Sequence, residues 1–311
     1  METAKILIFQ TIVMFALIVF GAFLYKKGVF TKKGGKQLSN FVVSAVCPVL
    51  IFTSFQKEFD SRLVKGLLLS FLLAFISHIV LIVIATVFFR EKNRGVNYAV
   101  EQFAVVYSNC SFLGIPLVSA VYGSDGVFYV IAYIALFNLL SWTHGVIVMT
   151  GNLSKKSLIN IIKAPAVIAT IVGVIFFFAR ILLPEVVLEP LNYISSLNTP
   201  LAMIVSGIMI AQSNLLEAIK KKGIYLTCAA KLIIGPILLM LIFIPFRNER
   251  MVVDTMIIAA SAPTAASTIM FANKYGRDGV YASEIFAIST IGSIITMPLM
   301  LLISEWLYNL I

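Results

Sequence analysis

Ten runs of about twenty mostly apolar residues, joined by short polar connections, occupy nearly all of this 311-residue chain. About twenty helical residues span the hydrocarbon core of a bilayer. Inside that core a backbone must satisfy its own polar groups, which helices and closed barrels do. The runs lie at Ile6–Tyr25, Gln37–Phe55, Val64–Phe89, Asn97–Tyr122, Val127–Val148, Ala166–Leu183, Leu191–Ala211, Ile224–Pro245, Met251–Phe271 and Val280–Leu307. The expected fold class is an all-α integral membrane protein with ten transmembrane helices. Composition agrees, because 60% of residues are hydrophobic and only 12% are charged. A soluble domain carries roughly 25% charged residues. No stretch is long and polar enough for a separate soluble domain. The net charge of +10 reads as loops facing anionic lipid, with no nucleic-acid partner. Cys47, Cys110 and Cys228 sit in apolar runs without metal-like spacing and read as small core residues. The first run is long for a signal-peptide core and is followed by Lys26 and Lys27 rather than a small-residue cleavage site, so it reads as a retained helix.

Orientation follows from the distribution of Lys and Arg. Connections after the odd-numbered runs hold 16 of them, the opposite side holds 7, and Lys231 lies inside a run, which accounts for all 24. The odd-numbered connections are therefore expected in the cytoplasm, with both termini outside a multi-pass protein of the cell membrane.

The chain also repeats itself. Tyr122–Phe128 (YGSDGVF) recurs as Tyr275–Tyr281 (YGRDGVY) at an offset of 153. Asn40, Ser44, Pro48 and Ser54 recur as Asn192, Ser196, Pro200 and Ser206 at an offset of 152. Residues 1–150 and 151–311 then read as two five-helix repeats. Five is odd, so the second copy enters the membrane inverted, an arrangement typical of secondary transporters. A duplication without mechanical role is the other reading.

Two runs look poorly suited to lipid. The fourth contains Tyr107–Pro116 (YSNCSFLGIP), and the ninth contains Ala260–Thr268 (ASAPTAAST). Pro removes a backbone donor and strains the preceding turn, and a helix broken in mid-membrane must have its freed groups met by protein or a water-lined cavity. Half-helices starting near Cys110 and Thr264 would aim their positive dipole ends at one point, favourable for an anion. Asn109, Cys110, Ser111, Ser261, Pro263 and Thr264 are the candidate substrate-binding residues, and Gly114, Pro116 and Pro263 are the candidate crossover hinges. The same small and hydroxyl residues would also suit close helix packing.

Glu101 and Asp254, 153 apart, are expected in the first turns of the fourth and ninth helices, either as caps or as gating or proton-relay groups. Lys231 either snorkels to the interface or lies buried as compensating charge at the crossover. Together these three are the candidate coupling or gating groups. Glu284 is expected at the interface. His78 and His144 titrate in the physiological range when free.

The string Asn109–Leu117 (NCSFLGIPL) followed by Tyr122 and Gly123 resembles the signature of the auxin efflux carrier family, which includes bacterial malate- and malonate-permease-like members. Similarity extends to Pro48, Trp142–Gly145 (WTHG), Pro165, Thr199–Leu201 (TPL), Ala262, Pro263 and Phe271–Gly276 (FANKYG), so it covers essentially the whole chain. The resemblance implies a scaffold domain (first, second, sixth and seventh helices) and a transport domain (third to fifth and eighth to tenth). It also implies crossed broken fourth and ninth helices and an elevator motion like that of bile-acid-symporter-like proteins. It places Asn109 and the backbone near Pro263 at the substrate. Ser108 stands where plant members often have Pro, and the long central loop of many plant members is absent.

The expected function is alternating-access transport of a small organic anion, such as a dicarboxylate or an auxin-like acid. A channel or a membrane sensor of small anions is the alternative. No nucleophile–base pair, metal cluster or cofactor motif suggests an enzyme. The coupling ion, H+ or Na+, is left open. A homodimer through the scaffold domain is compatible with this plan.

Overall fold

The computed structural model describes residues 2–152, 159 and 163–310, and among them all regular structure is helical. The main helices are α1 (Glu2–Lys26), α2 (Lys32–Ser54), α3 (Ser61–Phe88), α4 (Tyr98–Val106) and α5 (Cys110–Thr150). After the connection come α6 (Pro165–Phe178), α7 (Glu185–Ala211), α8 (Lys222–Ile242), α9 (Arg250–Ser261), α10 (Ser267–Lys274) and α11 (Gly279–Leu310). Among the described residues seven are long and apolar enough to cross a membrane: α1, α2, α3, α5, α7, α8 and α11. The fourth and ninth expected runs are each divided at their polar centres, and the sixth is the 14-residue α6. Helix length alone therefore counts seven crossings where the sequence suggests ten.

Three prolines leave the same mark. Pro48, Pro116 and Pro236 each follow a π-helical turn, Val42–Val46, Cys110–Gly114 and Ala230–Ile234 respectively. A helical proline lacks the N–H that would bond four residues back, and its ring crowds that carbonyl. The wider π turn moves Ser44, Phe112 and Leu232 away from the ring, so the helix continues instead of ending.

Local capping shifts two starts. α2 begins at Lys32 rather than Gln37 because Thr31 Oγ1 accepts the Gly34 N–H at 3.1 Å. α3 begins at Ser61, where Asp60 Oδ1 accepts the Arg62 N–H at 2.8 Å. The repeated YGxDG motif makes a corner in both places. Gly123 (φ 59) bends α5 and Gly276 (φ 68) separates α10 from α11, and this left-handed region favours glycine. Asp278 Oδ1 then caps α11 by accepting the Tyr281 N–H at 2.9 Å. Its counterpart Asp125 instead forms an ion pair with Lys57, which also donates to Ser124 Oγ at 3.0 Å.

Packing follows residue size. α1 lies along Asn198–Ala211 of α7, while Cys47–Ser54 of α2 packs against α6 and Glu185–Ser196. Gly21 faces the backbone of Ile204, and Gly207 faces the backbone of Ile18 and Ala22. Small residues permit that close approach, which substitutes for a hydrophobic driving force in lipid. α3, α4, α5, α9 and α11 pack on one another. α9 is buried continuously from Val252 to Ser261, so it is walled by protein on every face. α1 leaves Phe9 69% exposed beside Ile8 and Ile12, a face suited to lipid.

Candidate functional site

The two breaks meet. Ser108 and Thr264 form an antiparallel bridge, with the Asn109 N–H donating to Pro263 O at 2.7 Å and the Ala265 N–H to Tyr107 O at 2.9 Å. Unwinding frees backbone groups inside the protein, and each break supplies the other's partners. Hydroxyls tighten the clasp. Thr264 Oγ1 donates to Ala104 O at 3.2 Å, Ser108 Oγ lies 3.3 Å from Ala260 O, and Ser289 Oγ accepts the Thr264 N–H at 3.2 Å. Ser261 Oγ turns back to Ile258 O at 3.1 Å. Thus Ser261 and Thr264, expected as donors to a ligand, spend their hydroxyl protons on the fold. The inner half of the ninth run also starts later than expected, at Ser267 rather than near Thr264, because the Thr264 and Ala265 N–H groups are already engaged in the clasp.

Two further expectations concern the hinges. Gly114 closes the π turn ahead of Pro116. A Cβ at Gly114 would lie 3.8 Å from Ala259 Cα, so α5 and α9 come close there. Pro263 contributes its carbonyl to the Asn109 N–H.

The backbone is extended at Tyr107 (φ -97, ψ 109) and leaves that conformation at Asn109 (φ -77, ψ 49), and the Ser108 and Asn109 side chains have different surroundings. On one face Ser108 Oγ accepts a hydrogen bond from Lys231 Nζ and lies 3.3 Å from Tyr133 Oη. The His78 ring sits 4.6 Å from the Tyr133 ring, and its Nδ1 is 2.8 Å from Ala74 O. Lys231 is completely buried, which settles its placement at the crossing and not at the interface. Its helix α8 carries it there because the π turn at Ala230–Ile234 packs against α4, α9 and α11.

The other face carries unmatched polarity. Asn109 is only 6% exposed, and its Nδ2 has no partner among the described residues. Asn198, at 1% exposure, directs Nδ2 toward Ser111 O at 3.5 Å, and its Oδ1 has no partner among the described residues. Cys47 of α2 is buried close to the Ser111 side chain. Cys110 is buried in the first turn of α5. So Asn109, Cys110 and Ser111 stand where α5 faces α2 and α7, and their first-turn N–H groups lack intrahelical partners. Sequence reading passed over Asn198 and Tyr133, neither of which stands in a broken run.

The carboxylates are engaged elsewhere. Tyr281 Oη donates to Glu101 Oε1 at 2.7 Å. Asp254 accepts from Tyr122 Oη at 2.6 Å and Ser304 Oγ at 2.8 Å, with Arg250 Nε at 3.6 Å. Asp254 lies past the first turn, because α9 starts at Arg250, so end-of-helix capping does not account for it. Glu284 is buried by its neighbours near the start of α11. It pairs with Lys221 at 2.6 Å beneath the short helix Leu215–Ala218, which packs on α11.

A family model described as a membrane transport protein matches residues 6–154 and 148–301. An uncharacterized transporter of Methanothermobacter thermautotrophicus is 24% identical over 288 residues, covering 91% of this chain and 93% of its own length. An uncharacterized transporter of Methanocaldococcus jannaschii is 23% identical over 294 residues, covering 90% and 93% respectively.

Proposed function

The chain belongs to the membrane transport protein family, that of the auxin efflux carriers, and on that footing we propose that it is a secondary active transporter of a small organic anion bound at the crossing. The observation that carries this reading is the clasp itself. Two broken helices hold each other by their backbones, and beside them a buried amide donor, Asn109 Nδ2, has no partner among the described residues. A carboxylate would complete that donor and accept from the first-turn N–H groups of α5, which have no acceptor within their own helix, without burying a full charge of the protein's own on that face.

In this reading the chain crosses the membrane ten times as two inverted repeats, residues 1–150 and 151–311. α1, α2, α6 and α7 form the scaffold. α3, α4, α5, α8, α9, α10 and α11 form the moving unit, which carries the crossing past Asn198 and Cys47 as an elevator. Gly114, Pro116 and Pro263 set the clasp, and Glu101 and Asp254 stay inside the moving unit through their tyrosine partners. The Lys57–Asp125 pair joins the end of α2 to α5 and would break and reform in each cycle. Both termini face away from the cytoplasm at the cell membrane. A cysteine at Lys33, exposed in the first turn of α2, should react with an impermeant maleimide only after the membrane is opened; labelling of intact cells would overturn the orientation.

The functional test is uptake of radiolabelled malonate, malate and indole-3-acetate into proteoliposomes under imposed proton or sodium gradients. Saturable, gradient-driven accumulation is expected for at least one acid. Flux that rises linearly with concentration would favour a channel, and binding without flux would favour a sensor.

A further inference from the structure

Lys231 stands at the crossing with no part in the anion contacts proposed there. The side chain is 0% exposed, and Ser108 Oγ is its hydrogen-bond partner among the described residues. An ammonium has three donors, so two are unused. Among the described residues no carboxylate pairs with it. α4, α9 and α11 pack against its turn, but Glu101 on α4 is bonded to Tyr281, Asp254 on α9 to Tyr122 and Ser304, and Glu284 on α11 to Lys221. The other titratable side chains near it among the described residues include Cys110 and His78, with Tyr133 reached through Ser108. His78 and Lys231 are 153 positions apart, the offset of the internal repeat, so the two halves each present a basic residue to the clasp.

A buried charge with no counter-ion is costly in low dielectric, and an ion brought alongside is felt strongly there. The missing negative charge has an obvious place one residue away, at Asn109. We propose that Lys231 is the fixed counter-charge of the transported anion, and that this single charge restricts the site to monoanions, so that a dicarboxylic acid is carried in its singly protonated form. This rests on the crossing being the anion site. The proton that accompanies a dicarboxylate then travels on the substrate's own second carboxyl group, and no protein carboxylate has to relay it. Lys231 is a positioning charge in this scheme: it acts across Ser108 and the clasp without touching the ligand.

Ligand-induced thermal stabilisation of the purified full-length chain tests this, with malonate, monomethyl malonate and indole-3-acetate titrated from pH 5 to pH 7.5. Apparent affinity for malonate should fall about tenfold per pH unit once its second carboxyl group ionises, following the monoanion's abundance. The monoester, a monoanion throughout this range, and indole-3-acetate, a monoanion from about pH 6 upward, should not share that tenfold decline. Lys231→Met and Lys231→Gln should each weaken the monoester at least about tenfold, as loss of a neighbouring charge at low dielectric demands. Malonate affinity that stays constant as the dianion takes over would overturn the monoanion restriction. Either variant binding the monoester like the parent chain would overturn the counter-charge, with the anion site left standing. Should none of the three acids stabilise the parent chain at any pH, the anion site itself would fall, and this inference with it. The pH series on the parent chain needs no variant to fold.

Discussion

Transport by an Asn109→Ala variant is expected to fall to the level of empty vesicles, while its melting temperature in detergent stays at the parent value. The first half follows from the chemistry of the site. An amide donor bonded to a carboxylate contributes about 1.5–3 kcal/mol, roughly ten- to a hundredfold in binding. A transporter that must also hold the anion while the crossing moves needs that contact in every intermediate. The second half follows from the fold. Asn109 contributes to the clasp through its backbone N–H, which donates to Pro263 O, whereas its Nδ2 donates to no described residue. Truncation therefore removes no hydrogen bond made by that amine and leaves the backbone clasp intact. Parental uptake by the variant would remove Asn109 from the site. A variant that fails to fold would show that the side chain has a structural role.

Gly207→Leu should have the opposite profile, a loss of stability caused far from any ligand. A Cβ at this position would overlap the backbone of Ile18 and Ala22, and backbone cannot rotate away as a side chain can. Overpacking costs about 1–3 kcal/mol where neighbours can adjust, and more is expected here. The melting temperature should fall by at least about 5 °C. Gly34→Ala is the matched control, since its nearest neighbours, Thr31 Oγ1 and Phe30 Cδ1, lie at 3.5 and 3.6 Å, ordinary contact distances. If Gly207→Leu melted with the parent, α1 and α7 would not be held together through this contact.

Much of the fold was legible because the membrane imposes it. Runs of apolar residues must be helical in lipid, and the starts and ends of α1, α3 and α11 fall within a few residues of where hydropathy alone puts them. What hydropathy blurred were caps and corners. Thr31 extends α2 into a lysine-rich stretch that looks like a loop, and Pro190 lies inside α7, where a proline suggests a boundary. The π turns before Pro48, Pro116 and Pro236 explain why those prolines bend helices without ending them.

The candidate site was half legible. Asn109 and the two breaks stand out because polar residues beside Gly and Pro in mid-span have no good reason to be there unless something pays the cost. The roles of Ser261 and Thr264 could not be read, since a hydroxyl within reach of its own helix bonds there as readily as to a ligand. Asn198 and Tyr133 were invisible, because nothing local distinguishes a polar residue that faces the crossing from one that faces a neighbour.

By itself the sequence determined the solvent, the helical class, the internal offset of 153 residues and the places where helices must break. These depend on local composition and backbone hydrogen bonding, which are properties of a short stretch of chain. The tertiary structure decided which break meets which, through Asn109 and Pro263. It also decided that Lys231 points inward to Ser108 instead of outward to lipid headgroups. A lysine two turns into a helix can reach either way. Only the helices packed around it determine which of the two it does.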